Sequence, residues 1–504
     1  MNLTYKKYDD LPKLAWCAAI YRSGNVDVTH GRWVETGDDF FCEGAWSGKF
    51  SEGDLSGSVL MGSGAHIVNR ALVVATPNHT LERLYVLRYK NRILVSNSLP
   101  FILAESGEEI DPQFLLYTVW LASIVDGLKN YRRWIPARSG ARIWLYYHCN
   151  IKIGTDLGVE EIPKGVVQNF TSFNSYKTYL ENTTEAIFEN SSDHNRSVKY
   201  RPVTTISSGY DSPAAAVLAK NIGCTEALTF SQGRGEKPGQ HEDSGAMIAR
   251  QLGMSVKEYD RLGYLDKPGT PEEEFWGYGA QEVVWEDELP GALLFTGFHG
   301  GKVWANDPMN TSPSIIRIDP SGHNLTEFRL RVGWIHMPIP FIGCTSQVSI
   351  CQLTVSEEMA PWSMDYNYDK PIARRLVEEA GIDRGAFGVK KRAVGVILDS
   401  NRLNAGLTAE TYKEYEQYID RHWSSSCEHR SRMYEVLKKL TVKNKLLNAR
   451  ISRKINSLSG VKADLPLLVP SRFRIGRFGG FEKDSLLFQW SIEKLMSRYR
   501  HNGL

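Results

Sequence analysis

A run of six residues near the middle of the chain combines small, polar and acidic side chains in a pattern that suits phosphate chemistry. The run consists of Ser207, Ser208, Gly209, Tyr210, Asp211 and Ser212. It falls between an apolar stretch that predicts a strand and a helical stretch that begins with Pro213, a residue suited to the first turn of a helix. Small residues let backbone N–H groups approach an anion, and a helix N-terminus adds unpaired donors and a partial positive charge. The run therefore predicts a phosphate-binding loop.

Asp211 is the residue of this loop that needs a further explanation. A carboxylate repels bare phosphate unless it holds a magnesium ion that the phosphate also binds. We therefore interpret Asp211 as a Mg²⁺ ligand. The same residues allow an alternative, a tight strand-to-helix turn in which Ser212 caps the helix.

The elements around the loop alternate between strands and helices. The pattern predicts strands at 202–207, 226–230 and 256–260, with helices at 213–223 and 242–253. Elements of these lengths in this order favour βαβ crossovers and hence a parallel sheet. Ligands of such sheets bind beyond the carboxyl ends of the strands, which is where the loop is expected.

The remainder of the chain lies on either side of this α/β region. Residues 1–165 contain alternating apolar segments, two of which flank the polar turn Lys90–Arg92, and they predict a mostly β domain. A helix is predicted over Tyr176–Glu189, so that the α/β domain spans 175–400. Residues 401–504 predict a mostly helical extension, with its longest periodic run at 435–455.

Composition narrows the class of protein. A chain of 504 residues with 42% hydrophobic and 23% charged residues predicts folded globular domains, and a net charge of +2 gives no overall preference for nucleic acid or anionic lipid. The charge is uneven, with a net +12 from residue 421 onward and a net −10 before it. We favour packing of this basic tail against the acidic body over nucleic-acid binding.

The cysteines and the lengths of the apolar stretches indicate where in the cell the protein is expected. Seven scattered cysteines have no metal-ligand spacing, so we expect reduced and mostly buried thiols. No stretch is apolar enough for a membrane span or a secretory signal. These features predict a cytoplasmic protein that does not enter a membrane.

The loop sequence SSGYDS resembles the SGGxDS signature of the PP-loop ATP pyrophosphatases, and its surroundings resemble asparagine synthetase in particular. Leu228–Ser231, Glu242 and Asp243 are similar to the strand and the acidic helix start that follow the loop in that family. Further similar segments, in the family's order, are LLFTGFHGGKVW (293–304), KPIARR (370–375) and GAFGVKKRA (385–393). Residues 70–155 are more faintly similar to the second half of a glutaminase domain. The resemblance covers roughly residues 200–395.

This resemblance implies a fold, cofactors and residue roles. The fold would be an α/β synthetase domain with a parallel sheet, PP-loop and HUP-like, preceded by a mostly β, degenerate Ntn-like domain. ATP and Mg²⁺ would be bound, with Asp211 on the metal and the loop's backbone N–H groups on the pyrophosphate. Lys302 would contact phosphate, and Lys390 and Lys391 would offset charge on the departing pyrophosphate. A solvated basic cluster at 390–392 and a plain helix-dipole role for Glu242 and Asp243 are the open alternatives.

Three departures from the family pattern qualify these expectations. Glutamine-dependent members carry a terminal nucleophilic cysteine, whereas this chain has Met1 and Asn2, and its first thiol, Cys17, lies in an apolar run. The glycine loop at 297–302 has no acidic residue where the family has two, so Lys302 is either a phosphate contact or a solvated side chain. Ser208 replaces a glycine but keeps its N–H. His299 and His336 lack metal spacing and are interpreted as structural.

The combined expectation is a carbon–nitrogen ligase without its own glutaminase. A carboxylate would attack the α-phosphate of ATP and form an acyl-adenylate, which ammonia or an amine then converts to an amide. Family members that lack the glutaminase cysteine, such as β-lactam synthetases and lasso-peptide cyclases, indicate a small-molecule or peptide carboxylate as the substrate. Two alternatives remain: an ammonia-dependent asparagine synthetase, and a non-catalytic nucleotide-binding or scaffold member. A homodimer is also left open.

Overall fold

The computed structural model of the chain describes residues 1–57, 59–165, 168–233, 243–266, 281–305, 311–364, 368–388, 395–396, 403–459 and 483–500. These residues form a mostly β N-terminal region, a parallel sheet flanked by helices, and a C-terminal set of helices. The expected mixed α/β class, with a mostly β N-terminal region followed by a parallel sheet with helices, is confirmed. Among the described residues, no helix is both long enough and apolar enough to cross a bilayer.

The described residues of the N-terminal region form thirteen strands in two sheets. They are β1 Asn2–Tyr8, β2 Trp16–Tyr21, β3 Asn25–Gly31, β4 Glu35–Thr36, β5 Phe40–Trp46, β6 Leu60–Val68, β7 Ala71–Ala75, β8 Leu84–Tyr89, β9 Arg92–Ser96, β10 Trp134–Pro136, β11 Arg142–Tyr146, β12 Cys149–Ile153 and β13 Val159–Pro163. One sheet has the order β1-β3-β2-β9-β8-β11-β10 and the other β13-β12-β7-β6-β5-β4. Buried residues of both sheets form one apolar cluster, which includes Ile20, Val28, Val74 and Val86. Such sharing of a core is what joins two half-buried sheets.

The hairpin at Lys90 shows how local sequence fixes a register. β8 and β9 pair antiparallel with Tyr89 opposite Arg92, as the alternating segments predict. Lys90 occupies the left-handed region with φ of 54°, a conformation that a two-residue hairpin turn requires. Short helices α1 Leu99–Ser106 and α2 Tyr117–Leu121 follow this hairpin.

The second part of the chain is built on a five-stranded parallel sheet. Its strands are β14 Arg201–Thr205, β15 Glu226–Phe230, β16 Ser255–Tyr259, β17 Ala292–Thr296 and β18 Ile335–Pro338, in the order β16-β15-β14-β17-β18. The helices of this part are α3 Phe173–Ser191, α4 Asp211–Asn221, α5 Ala246–Gln251, α6 Gly300–Val303, α7 Thr326–Val332, α8 Gln347–Thr354 and α9 Pro371–Glu379. The central strand β14 leads directly into the predicted phosphate loop.

Some predicted boundaries in this part are wrong. Helix α4 begins at Asp211 rather than Pro213, so Pro213 is the third helical residue, a position at which its missing N–H costs no hydrogen bond. The helix predicted at 242–253 is described only over Ala246–Gln251. The predicted strand at 202–207 ends at Thr205, because the chain turns there to form the loop. By contrast, the strand at 226–230 is confirmed at both ends.

The C-terminal helices extend over both preceding parts. They are α10 Leu403–Gly406, α11 Ala409–His422, α12 Ser425–Ser459 and α13 Leu486–Met496. Helix α13 buries Phe488, Ile492 and Leu495 in the apolar cluster that α1 and the seven-stranded sheet also line. The extension therefore contributes core residues to the N-terminal region. All seven cysteines are buried and none forms a disulfide, as expected.

A buried ion triad joins the β region to the parallel-sheet region. Arg329 of α7 lies 2.6 Å from Glu43 of β5 and 2.6 Å from Glu82, and the side chains of all three are almost fully buried. Ser63 donates a further hydrogen bond of 2.7 Å to Glu43. Since a buried charge is tolerated only when it is paired, each part of the chain requires the other here.

We expect Arg329→Met to be strongly destabilising. The substitution leaves two buried carboxylates without a cation, a change that costs about 3–5 kcal/mol. Chemical denaturation should show this loss. The deficit should shrink from pH 8 to pH 5, because burial raises the pKa of Glu82 to about 7 and this carboxyl, without Arg329, takes up a proton as the pH falls. Arg331 lies on the same helix as Arg329 and forms a partly exposed ion pair with Glu286. Arg331→Met should therefore cost about 1 kcal/mol or less. Equal effects of the two substitutions would contradict the role of the triad.

Candidate functional site

The predicted loop lies at the carboxyl end of β14 and folds around the hydroxyl of Ser207. The Oγ atoms of Ser207 and Ser212 are 2.8 Å apart, and the N–H of Gly209 donates to Ser207 Oγ at 3.3 Å. The residue that precedes α4 is Tyr210, which makes no side-chain cap. The alternative in which Ser212 caps the helix is therefore wrong, because Ser212 lies inside the helix and bonds back to Ser207.

Asp211 forms an ion pair with a lysine from a distant part of the chain. Both of its carboxylate oxygens accept hydrogen bonds from Lys370 Nζ, at 2.7 and 2.6 Å. The Lys370 side chain is 8% exposed and the Asp211 side chain 24%. Lys370 directly precedes α9, whose first residue is Pro371. A nearly buried ammonium paired with a partly exposed carboxylate is well placed to meet an arriving anion.

Two glycines of the 297–301 loop press against Asp211. A Cβ on Gly300 would lie 2.6 Å from Asp211 Cγ, and one on Gly297 would lie 2.4 Å from the Asp211 carbonyl carbon. Any side chain at either position would therefore displace Asp211. This close approach explains why the acid-free loop GFHGG retains its glycines, and it holds the carboxylate in one place.

Tyr210 anchors the loop from the side opposite Asp211. Its buried hydroxyl bonds to the guanidinium of Arg374, which is itself 1% exposed and lies over the Tyr210 ring. Tyr368 and Phe387 pack against the same ring, with centroids 5.0 and 5.8 Å away. The sequence assigns only a backbone role to Tyr210, whereas the structure shows that its side chain fixes the loop to α9.

Gly388 also packs against Tyr210, and together with Tyr368, Arg374 and Phe387 it forms what we call the Tyr210 socket. Its N–H donates to the carbonyl of Ser208 at 2.8 Å, its φ is +66°, and an added Cβ would lie 2.3 Å from Tyr210 Cζ. We expect Gly388→Ala to lower stability by about 1–3 kcal/mol, through strain at this φ and overpacking. Gly381→Ala has a similar φ of +87° but no atom within 4 Å of the added Cβ, so it measures the strain alone. Thermal unfolding should rank Gly388→Ala as the more damaging, and the reverse ranking would argue against the socket.

Ser208 and Asp243 bind each other. The N–H of Ser208 donates to the Asp243 carbonyl at 3.0 Å, and its hydroxyl donates to the Asp243 carboxylate at 3.2 Å. The Ser208 N–H is thus used within the protein rather than directed to a pyrophosphate. Asp243 is buried and lies ahead of α5, so it positions the loop instead of forming the first turn of that helix. Glu242 lies outside the described residues.

The predicted lysines are placed unevenly. Lys302 belongs to the short helix α6 beside the glycine loop, and its carbonyl accepts from Gln347 at 3.1 Å. Lys390 and Lys391 lie outside the described residues, although the preceding segment 384–388 reaches the loop through Gly388. The structure thus brings Ser207, Ser208, Gly209, Tyr210, Asp211 and Ser212 together with the unforeseen Lys370.

His299 is a second residue that sequence reasoning undervalued. It has a left-handed φ of 74° immediately before Gly300, and its ring stacks on Phe341 with centroids 4.6 Å apart. Burial, followed by the nearby Arg317 and Lys302 cations, lowers the pKa of His299 well below its usual value. Within the described part of the chain, neither ring nitrogen is hydrogen-bonded. A strained, neutral histidine at the end of a sheet strand is typical of functional sites. His336, in contrast, bonds to Thr296 at 2.8 Å.

The residues present fit a magnesium ion that arrives with a nucleotide. Among the described residues, no three acidic, histidine or cysteine side chains converge as a metal site. Mg²⁺ bound with phosphates commonly takes only one or two protein carboxylates, however, and Asp211 supplies one. Because Lys370 now holds both oxygens of Asp211, its ammonium must shift when a cation binds there.

Comparisons with known proteins leave the family of the chain open. No protein-family model matches the sequence, and no curated protein is similar enough to it to count as a match. The argument for function therefore depends on the geometry of the loop, the Asp211–Lys370 pair and the glycine contacts.

Proposed function

We propose that this chain is an ATP-dependent amide synthetase that resembles asparagine synthetase. In this proposal the parallel-sheet part is a PP-loop, HUP-like domain, and the β region is a degenerate Ntn-like domain. The protein would act in the cytoplasm on a small-molecule or peptide carboxylate. The observation that carries the proposal is the Asp211–Lys370 pair, which lies at the carboxyl end of the central strand under a glycine loop.

The chemistry follows from the poor reactivity of carboxylates. A carboxylate can form an amide only if one of its oxygens becomes a good leaving group, and attack on the α-phosphate of ATP achieves this with release of pyrophosphate. Ammonia or an amine then attacks the acyl-adenylate and expels AMP. Mg²⁺ would neutralise phosphate charge during the first step.

The chain's own residues would divide this work. Asp211 would hold the metal, and Lys370, once released from Asp211, would place its ammonium on the phosphate oxygens where negative charge develops. Ser207, Gly209 and Ser212 shape a loop that admits phosphate, while Tyr210 and Arg374 prevent the loop from moving away. Lys302 stands beside the glycine loop as a further cation. The neutral His299 could accept the proton that an attacking amine must lose.

A hydroxylamine trap tests the proposal directly. The protein would be incubated with ATP, Mg²⁺, hydroxylamine and a panel of carboxylates that includes aspartate and amino-acid derivatives. An acyl-adenylate gives a hydroxamate together with stoichiometric AMP and pyrophosphate, whichever amine is the natural acceptor. If aspartate is the one carboxylate that yields a hydroxamate, and ammonia can replace hydroxylamine as the nucleophile, the protein would be identified as an asparagine synthetase. If the protein bound ATP but formed no AMP in the presence of any of these carboxylates, the proposal would be contradicted.

A non-catalytic nucleotide-binding role is the second candidate. It is favoured by one specific observation, that Lys370 engages both oxygens of Asp211 while the adjacent loop at 297–302 contains no acid. Calorimetry with ATP, with and without Mg²⁺, separates the two functions. Binding that is indifferent to Mg²⁺, with no AMP formed, would support this second role.

We expect no glutaminase activity from this chain. All seven cysteines are buried, and burial raises the pKa of Cys17 well above its usual value and that of Cys42 to about 12. A thiol that is neither exposed nor ionised is a poor nucleophile. Glutamate release from glutamine should equal that of a heat-denatured control. Release that is abolished by iodoacetamide would show that one of these thiols is reactive.

A further inference from the structure

The basic extension contains an exposed apolar surface that the proposed function does not use. Helix α12 exposes five large apolar side chains, more than any other helix in the described part of the chain, and we call them the outer stripe. Its members are Met433, Val436, Leu440, Leu447 and Ile451. At 100° per residue, all five fall within about 60° of the helix circumference. Exposed apolar residues aligned in this way indicate an interaction surface.

Among the side chains that the structure describes, those of α12 that contact the body of the protein lie in the first half of the helix. Cys427 Sγ contacts Gln113 at 3.0 Å, and Tyr434 and Leu437 pack beside Val119. Thr441 is the last of the helix's described side chains to be buried, and Lys443, Leu447 and Ile451 beyond it are all exposed. The remaining residues to Ser459 correspond to roughly 27 Å of helix. Helices in proteins gain most of their stability from the packing of an apolar face, so a partner is expected for the outer stripe.

The spacing of the stripe is that of a coiled coil. Leu440 and Leu447 are seven residues apart and match two d positions of a heptad repeat. Ile451, four residues after Leu447, matches the next a position. The exposed apolar side chains that the structure describes on α12 form a stripe narrow enough for a single helix, whereas a helix that lies on a membrane needs a broader apolar face. The geometry therefore favours a helical partner over a lipid surface.

Charge selects the kind of helix. Residues 425–459 carry seven more basic than acidic residues. Lys443 is exposed at the g position beside the stripe, where charged residues set the choice of partner in coiled coils, and Lys439 is exposed one helical turn before it. A second copy of α12 would bring like charges together along the contact. We propose that the outer stripe docks an amphipathic helix of another protein, with leucine-type residues in its seam and acidic residues beside it.

A designed peptide serves as the probe. It would have about four heptads with Leu at a and d, one Asn at an a position to fix the register, and Glu at e and g. Binding of the labelled peptide to the full chain would be followed by fluorescence anisotropy. We expect saturable binding that weakens as salt rises, and at least about tenfold weaker binding when Lys replaces Glu in the peptide.

Variants of the chain locate the contact. Leu447→Asp should weaken peptide binding at least about tenfold, and Lys439→Glu with Lys443→Glu should do so while leaving the stripe apolar. Val355→Asp, at an apolar side chain that is 53% exposed on α8's C-terminal cap, should leave binding unchanged. All of these positions are exposed, so unfolding temperatures should match that of the wild type within about 2 °C.

Several results would overturn the proposal. Absence of binding, or equal binding of the acidic and basic peptides, would do so. A dimer in sedimentation that Leu447→Asp abolishes would identify a second copy as the occupant. Binding of phosphatidylserine vesicles or duplex DNA through the same residues, without peptide binding, would assign the surface to those ligands. None of these readouts depends on ATP turnover, so the proposal stands or falls independently of the proposed enzyme.

Discussion

Asp211→Asn is expected to lower ATP-to-AMP turnover at least about a hundredfold, which is equivalent to about 2.7 kcal/mol or more of transition-state stabilisation. The substitution keeps the size of the side chain and removes the charge that would hold Mg²⁺. The loss should appear in kcat rather than in the KM for ATP, because a metal on the phosphates acts mainly while charge separates. Steady-state AMP formation over a range of ATP concentrations at saturating Mg²⁺ measures both parameters.

The same substitution also affects folding, because it leaves the nearly buried Lys370 without its counter-charge. We expect a stability loss of about 1–3 kcal/mol, so turnover must be compared well below the unfolding temperature. Ser212→Ala is the matched control, since it removes only the hydroxyl that bonds to Ser207 and should cost less than about tenfold. Normal turnover of Asp211→Asn would mean that the metal is held elsewhere and that this loop is not catalytic.

Local patterns in the sequence predicted much of the scaffold. The strand at 226–230 and the hairpin at Lys90 follow from alternation and turn residues within a few positions of each other. The order of strands and helices likewise predicted the parallel sheet and the position of the loop beyond β14. These are features that neighbouring residues decide.

The contacts that complete the candidate site could not be predicted in this way. Lys370 lies 159 residues from Asp211 in the sequence, and nothing local marks it except its place in the segment KPIARR. The family resemblance assigns the role of catalytic cation to Lys390 and Lys391 instead. The Tyr210–Arg374 bond spans 164 residues. Neither the left-handed φ of His299 nor the close approach of Gly300 to Asp211 is encoded by residue type alone.

The Asp211–Lys370 pair also decides between the two candidate functions. In a catalytic site the pair is a resting arrangement, and nucleotide with Mg²⁺ should separate it. In a non-catalytic site the pair is a structural ion bridge, and its charges matter only to each other. In the first case removal of the Lys370 charge alone should lower turnover, whereas in the second case it should affect stability without affecting turnover.

Lys370→Met is therefore the second decisive substitution, and we expect it to lower turnover at least about a hundredfold because the developing phosphate charge loses its fixed cation. Lys370→Arg should recover little activity, since a planar guanidinium cannot replace an ammonium held 2.6 Å from Asp211. Lys177→Met, which breaks a half-exposed ion pair with Glu379, should leave turnover unchanged.

The double variant Asp211→Asn with Lys370→Met should regain part of the stability that Asp211→Asn loses, because the buried ammonium is gone, yet it should remain inactive. If the double variant regained stability while Lys370→Met alone turned over ATP normally, the pair would be a structural bridge and the catalytic cation would have to be another residue.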